Sequence, residues 1–197
     1  MLSDIKLKNI QNSPSGGGGK IHPHKFTLWV AMASIIMMFA GLTSAYIVKS
    51  NQANWVDVET PVYFWYSTAA ILISSFTILM AVRAFKQRDM AKYRALMVTT
   101  AVLGVVFIVL QWKGFHWMWE NGVRFKGAGA GQFLYVIAGL HAVHVIGGII
   151  TLLVLTFKAF FGKVRSYNAV PVEVASTYWH FVDFLWIYLL IFFIYLK

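Results

Sequence analysis

The sequence predicts an all-α, polytopic membrane protein, built as a bundle of five transmembrane helices. Of its 197 residues, 59% are hydrophobic and only 12% are charged, which is about half the charged fraction of a soluble domain. Five apolar runs can each cross the hydrocarbon core, since a helix needs roughly 20 residues to span about 30 Å. The runs lack the alternation of barrel strands, and helices satisfy their own backbone polar groups in lipid. Because the chain has no cysteine, disulfides and cysteine-ligated metal centres are excluded.

The five spans follow one another with short connections. A polar leader, residues 1–25, precedes the first span and is too poor in apolar side chains to fold alone. The second span ends at a basic loop, and the third is the shortest, although the apolar side chains between Phe115 and Trp119 extend it. The fourth span contains three glycines, and the fifth closes the chain. Residues 26–197 therefore form one bundle, with spans at 26–48, 62–82, 95–112, 133–157 and 177–196.

The distribution of Lys and Arg predicts the orientation of the bundle. Twelve of these residues lie in the N-terminal tail, the loop 83–94 and the loop 158–176, against five on the other side of the membrane. This bias places the N-terminus in the cytoplasm and the C-terminus outside. The net charge of +10 is thus a topology signal, and we expect no nucleic-acid partner.

Ionisable side chains inside the last two spans are the candidate functional residues, because each costs about 3 kcal/mol or more in the bilayer centre. His141 and His144 lie at i, i+3 in the fourth span, as do His180 and Asp183 in the fifth, so each pair shares a helix face. Glu173 lies seven residues before His180. We expect these faces to meet as a polar network. A contact between Glu173 and His180 is easier than one between Asp183 and His144, whose depths differ by about 10 Å.

Taken alone, these residues leave three functions open. Paired imidazoles, His141 or His144 with His180, can hold a b-type haem, and a His/Glu set can hold a metal. A satisfied polar network would instead fix the helix register. A transporter would use Asp183 or Glu173 as its coupling carboxylate, although five helices without a proline-broken pair fit an inverted repeat poorly.

Glycine and aromatic positions predict packing roles. Gly139, Gly147 and Gly148 allow close approach of a neighbouring helix, or of a lipid chain. Trp and Tyr residues at the ends of the spans are typical of interfacial anchors. These are Trp55, Tyr63, Trp65, Trp117, Trp119, Tyr178 and Trp179.

The last two spans also carry a resemblance to a known family. The string Tyr178–Asp183, followed by Trp186 and preceded by Glu173, resembles the C-terminal helix of subunit III of haem–copper terminal oxidases. Residues 139–147 are similar to that family's His-x-x-His-Val-x-x-Gly helix. Pro61 and the Leu-Gln pair that ends at residue 111 fit the family more loosely. The chain resembles the short, five-helix form of the family over residues 22–197.

The resemblance implies a non-catalytic subunit of a respiratory oxygen reductase, in the cell (inner) membrane of a prokaryote. Such a subunit packs against subunit I, binds phospholipid and supports proton uptake during aerobic electron transport. Haem and copper are expected in the partner subunits I and II, and further respiratory subunits or a supercomplex are further partners. A related accessory protein of nitric oxide reductase shares the fold and remains a rival, as does a free-standing b-type cytochrome.

The family's residues transfer to this chain as structural groups, with no catalytic residue and no metal ligand among them. The implied polar network comprises His141, His144, Glu173, His180 and Asp183. The implied lipid and packing contacts are Gly139, Gly147, Gly148, Trp179 and Trp186.

Two positions depart from the family pattern. Ile35 stands where the family often has a buried carboxylate in its first core helix. Gly114 stands in the segment that follows the Leu-Gln pair, where the family often has a glutamate, and Glu120 lies further on. We expect the scaffold to be kept and part of its acidic groups to be lost.

Overall fold

The computed structural model describes residues 23–50, 61–121, 130–161 and 169–195, and these form five α-helices without a strand among them. Each helix is long and apolar enough to cross a membrane, which confirms the predicted fold class. The leader up to residue 22 lies outside the described residues. The helices are α1 (Pro23–Ser50), α2 (Tyr63–Lys86), α3 (Met90–Glu120), α4 (Ala130–Phe161) and α5 (Val170–Tyr195).

The helices are longer than the spans predicted from the sequence. Hydropathy marks only the part of a helix that lies in hydrocarbon, whereas backbone hydrogen bonding continues into the polar region beyond it. Thus α1 begins at Pro23, inside the predicted leader, where proline's missing N–H has no helical partner in any case. α3 continues to Glu120, as its apolar extension predicted, and Glu173 lies in the first turn of α5.

The turn between α2 and α3 is tight and capped. Arg88 has a φ of 62°, in the left-handed region that lets the chain reverse within three residues. The Asp89 carboxylate accepts a hydrogen bond from the Lys92 backbone N–H at 3.2 Å and pairs with the Lys92 ammonium at 2.9 Å. These interactions hold the pKa of Asp89 below its usual value. Asp89 therefore fixes the start of α3.

The helices α2 to α5 form a closed ring, and α1 lies against one side of it. α2 packs along α3, α3 against α4, α4 against α5, and α5 back against α2, whereas α1 contacts only α4 and α5. One end of the bundle, called the basic end here, gathers the starts of α1, α3 and α5 and the ends of α2 and α4. Its described basic residues include Lys25, Arg83, Lys86, Arg94 and Lys158.

Candidate functional site

Glu173 joins three helices at the basic end. Its Oε1 lies 2.8 Å from Lys86 Nζ of α2, and its Oε2 lies 2.9 Å from Lys25 Nζ of α1. α1 and α2 do not contact each other, so this Glu173 clasp links them through α5. Both carboxylate oxygens bind lysines, and the expected contact with His180 is not formed. Because the lysines are about half exposed, each pair contributes roughly 1 kcal/mol or less.

Beneath the clasp lies a groove between α1 and α2 with α5 as its floor, called the basic groove here. Its volume is about 500 Å³. Its mouth carries three cationic side chains, Lys25, Arg83 and Lys86, against the single carboxylate of Glu173. Among the described residues, no carboxylate forms an ion pair with Arg83. The deeper walls are apolar and include Leu28, Trp29, Leu79, Val82 and Val174.

His180 and Asp183 meet at one residue of α2. Ser75 Oγ lies 2.5 Å from His180 Nδ1, and Ser75 is also a neighbour of the Asp183 carboxyl. Asp183 is buried, at 3% exposure, and neither of its oxygens has a hydrogen bond of good geometry from a described residue. His180 lines the inner part of the basic groove, so Ser75 brings the predicted pair to the edge of that cavity.

His144 connects α4 to α5 through its backbone. Its Nδ1 lies 2.7 Å from the Leu140 carbonyl oxygen, and its own carbonyl accepts a hydrogen bond from the Tyr178 hydroxyl at 3.1 Å. The ring packs edge-on against Phe39 of α1 at 5.9 Å between centroids. His144 is therefore a packing group between α1, α4 and α5.

His141 lies among aromatic rings rather than polar groups. It is 1% exposed, and neither ring nitrogen has a hydrogen-bond partner among the described residues. Its ring centroid lies 5.3 Å from Trp186, 6.1 Å from Phe107 and 6.4 Å from Phe39. An iron porphyrin bound to this imidazole would have to displace these rings. The five predicted polar residues thus divide into separate contacts, and the described hydrogen bonds do not join them into one network.

Trp179 acts as a wedge between α3 and α4. It is 1% exposed, so its interpretation as an interfacial anchor is wrong. A Cβ added at Gly104 of α3 would lie 2.8 Å from Trp179 Cη2, and one added at Gly148 of α4 would lie 3.0 Å from Cε3 and Cζ3. The indole N–H donates to Ser74 Oγ of α2 at 2.8 Å. One side chain of α5 therefore contacts the other three helices of the ring.

Gly139 and Gly147 of α4 lie differently from Gly148. A Cβ added at Gly139 or Gly147 would meet no described atom within 4 Å. These two positions face open space beside the bundle, where lipid or another subunit has room, whereas Gly148 contacts a side chain of the neighbouring helix α5.

Trp186 forms the aromatic centre of the bundle, seven residues or two turns further along α5. Its indole N–H donates to Thr68 Oγ1 at 3.0 Å, and its ring lies 5.6 Å from Phe64 and 5.4 Å from Phe107. The hydroxyls that accept hydrogen bonds from the two indole N–H groups, Ser74 Oγ and Thr68 Oγ1, were not among the residues predicted from the sequence. Thr68 and Ser75 are seven residues apart, as are Ser67 and Ser74, and this repeat on one face of α2 is the signal that could have identified them.

The two departures from the family pattern are both accommodated in the core. A Cβ added at Gly114 would lie 2.7 Å from Phe64 Cε1, so a carboxylate has no room there unless that ring moves. Ile35 is partly buried against the apolar core. Glu120 is exposed at the end of α3, with His116 Nε2 at 3.3 Å from its Oε1, and does not replace a buried acid. Among the described residues, no group of three or more His, Asp or Glu could hold a metal ion.

Comparison with known proteins gives one consistent family. A family model described as Cytochrome c oxidase subunit III matches residues 25–197. The probable cytochrome c oxidase subunit 3 of Nocardia farcinica (strain IFM 10152) is 32% identical over 161 residues, or 79% of each chain. That of Mycobacterium tuberculosis (strain ATCC 25618 / H37Rv) is 32% identical over 163 residues, or 80% of each chain. The cytochrome c oxidase subunit 3 of Bacillus sp. (strain PS3) is 28% identical over 166 residues, covering 82% of this chain and 80% of the relative.

Proposed function

The chain belongs to the cytochrome c oxidase subunit III family, and on that premise we propose that it stabilises subunit I of a respiratory oxygen reductase and binds phospholipid beside it. The haem and copper of such a complex lie in subunits I and II, and this subunit acts as a scaffold. We place it in the cell membrane of a prokaryote, with the basic end in the cytoplasm.

The basic groove is the observation that carries the lipid part of the proposal. Its mouth offers three cations against one carboxylate, which suits the phosphate of a phospholipid headgroup. Its apolar walls continue toward the membrane centre, where an acyl chain would lie. Arg83 is the cation with no described carboxylate partner, so it is the strongest candidate for the phosphate contact.

The outer face of α1 supports the scaffold part. This helix contacts only α4 and α5 among the described helices, and its exposed side carries the small residues Ala40, Gly41 and Ser44 beside large apolar side chains such as Ile36 and Met37. A Cβ added at Gly41 meets no described atom within 4 Å. Since apolar area alone does not drive helices together in lipid, small residues of this kind favour close packing against another helix. We assign this face to the neighbouring subunit.

We also propose a role in proton uptake, because of the side of the membrane on which the basic end lies. The basic end is the cytoplasmic end in our orientation, the side from which an oxygen reductase takes its protons. Ile35 and Gly114 stand where the family often has two acidic residues. The subunit therefore acts by protecting the proton-uptake entrance of the catalytic subunit, and not by supplying carboxylates that collect protons there.

Native mass spectrometry of the purified complex tests the lipid site. We expect Arg83→Gln to reduce the number of retained phospholipids, because it removes the unpaired cation of the groove. Lys92→Gln is the matched control, since Lys92 pairs with Asp89 outside the groove. Equal lipid retention in the two variants would contradict the assignment.

Turnover kinetics test the scaffold role separately. A complex prepared without this chain should begin with normal oxygen consumption and lose activity faster during turnover than the intact complex. Restoring the chain should restore the lifetime. A complex that lacks the chain and keeps its full turnover lifetime would contradict the proposal.

A further inference from the structure

Asp183 is a buried carboxyl without a charge partner. It lies near the middle of α5 at 3% exposure, and its two oxygens have no hydrogen bond of good geometry among the described residues. No described lysine, arginine or histidine forms an ion pair with it. Burial of an ionised carboxylate in these conditions is strongly unfavourable, and protonation removes the charge. The geometry therefore favours a neutral carboxylic acid.

Ser75 and His180 connect this acid with the basic groove. Ser75 lies beside Asp183 without a hydrogen bond of good geometry, and its hydroxyl oxygen lies 2.5 Å from His180 Nδ1. His180 lines the groove, and its buried Nε2 has no hydrogen-bond partner among the described residues. The three side chains make a polar line from the cavity into the bundle.

In the described parts of the neighbouring helices, we find no lysine, arginine or carboxylate at the depth of Asp183 in the bundle that could neutralise an ionised Asp183. Residues 26–45 of α1, 67–82 of α2 and 95–112 of α3 contain no ionisable side chain. α4 contributes His141 and His144, whose rings pack against aromatic side chains of α1, α3 and α5. The charged groups at the groove mouth lie about 10 Å toward the basic end, seven residues before His180 on α5.

We propose that Asp183, Ser75 and His180 form a proton-exchanging site that opens into the basic groove. Asp183 holds the proton as a carboxylic acid. On release, a small rotation of the Asp183 or Ser75 side chain forms the hydrogen bond that the resting geometry lacks, and the acid gives its proton to Ser75 Oγ. The Ser75 hydroxyl gives its own proton to His180 Nδ1, and His180 Nε2–H, which is buried at rest, gives a third proton to a water molecule that enters from the groove. One proton leaves and the imidazole remains neutral; the reverse steps reload the acid. This site is independent of the phospholipid assignment.

Infrared difference spectroscopy of the intact complex tests this proposal. We compare the wild-type complex with an Asp183→Asn complex in ordinary and in heavy water. The wild type should show the carbonyl stretch of a protonated carboxylic acid, absent from the variant, and this band should shift down in heavy water. Absence of the band would mean an ionised Asp183 and would overturn the proposal. A band that does not shift in heavy water would overturn the connection to the groove.

Ser75→Ala tests the route even if Asp183→Asn fails to assemble. This variant should keep the acid band but slow its shift in heavy water by about 10²-fold, the lower end of what a positioned proton-transfer group contributes. Ser74→Ala is the control, because Ser74 binds Trp179 instead, and it should leave the exchange rate unchanged. Equal exchange rates in the two variants would overturn the role of Ser75.

Discussion

Replacement of Gly148 by alanine tests the wedge that holds the ring of helices together. The new Cβ would lie 3.0 Å from Cε3 and Cζ3 of Trp179 and 3.4 Å from Cε1 of Tyr178. The indole cannot easily retreat, because Gly104 limits it on the other side and Ser74 holds its N–H at 2.8 Å. Overpacking of this kind costs about 1–3 kcal/mol.

Gly147→Ala is the matched control, one residue away on the same helix. Its Cβ meets no described atom within 4 Å. Both substitutions gain up to about 1 kcal/mol in helix propensity, so this gain cancels in the comparison. The difference between the two variants is then the overpacking alone, about 1–3 kcal/mol in favour of Gly147→Ala.

The thermal midpoint of the subunit within the detergent-solubilised complex measures this difference. Each kcal/mol moves the midpoint of a domain of 150–250 residues by roughly 2–4 °C, so Gly148→Ala should melt several degrees below Gly147→Ala. In a Trp179→Phe background the smaller ring leaves room, and the gap should narrow. Equal midpoints for the two alanine variants, or an unchanged gap beside phenylalanine, would refute the wedge.

Three further predictions concern other parts of the bundle. Trp186→Phe should lower the free energy of unfolding by about 2–3 kcal/mol through lost packing and a lost indole hydrogen bond. Trp112→Phe, at a site 74% exposed, should change the thermal midpoint little. Equal shifts of the thermal midpoint in the two variants would contradict a buried role for Trp186. Glu173→Gln should speed hydrogen exchange at the start of α1 by roughly fivefold, since about 1 kcal/mol of ion pairing is lost, and unchanged exchange would argue against the clasp. The pKa of Asp89 is lowered by its bonds to Lys92, so the cap stabilises α3 above the unfolded-state pKa and is lost as the pH falls through the folded-state pKa. Asp89→Asn should abolish this acid dependence of hydrogen exchange in the first turn of α3, and an identical pH profile would contradict it.

Hydropathy and charge were sufficient to predict the number and order of the helices. Both are local properties, so they do not depend on how the helices pack. They predicted the ends less well, because α1 and α5 begin in polar segments such as the turn that contains Glu173. The orientation of the termini stays a prediction from the Lys and Arg bias.

The partners of the candidate residues could not be predicted, because they come from distant parts of the chain. Glu173 binds lysines on α1 and α2, and His180 binds Ser75, 105 residues earlier. A spacing of three or seven residues predicts a shared helix face but not the helix that faces it. Trp179 illustrates the same limit: its position suggested an anchor, yet its burial depends on glycines of α3 and α4.

Affinity purification of the tagged chain in mild detergent, with mass spectrometry and a visible spectrum of the product, tests whether this chain is a subunit of an oxygen reductase. We expect recovery of oxidase subunits I and II, with haem and copper in those partners and with oxygen uptake by the complex. Recovery of a nitric oxide reductase in their place would move this subunit to the rival pathway. Recovery of the chain alone with a haem spectrum of its own would contradict the scaffold role.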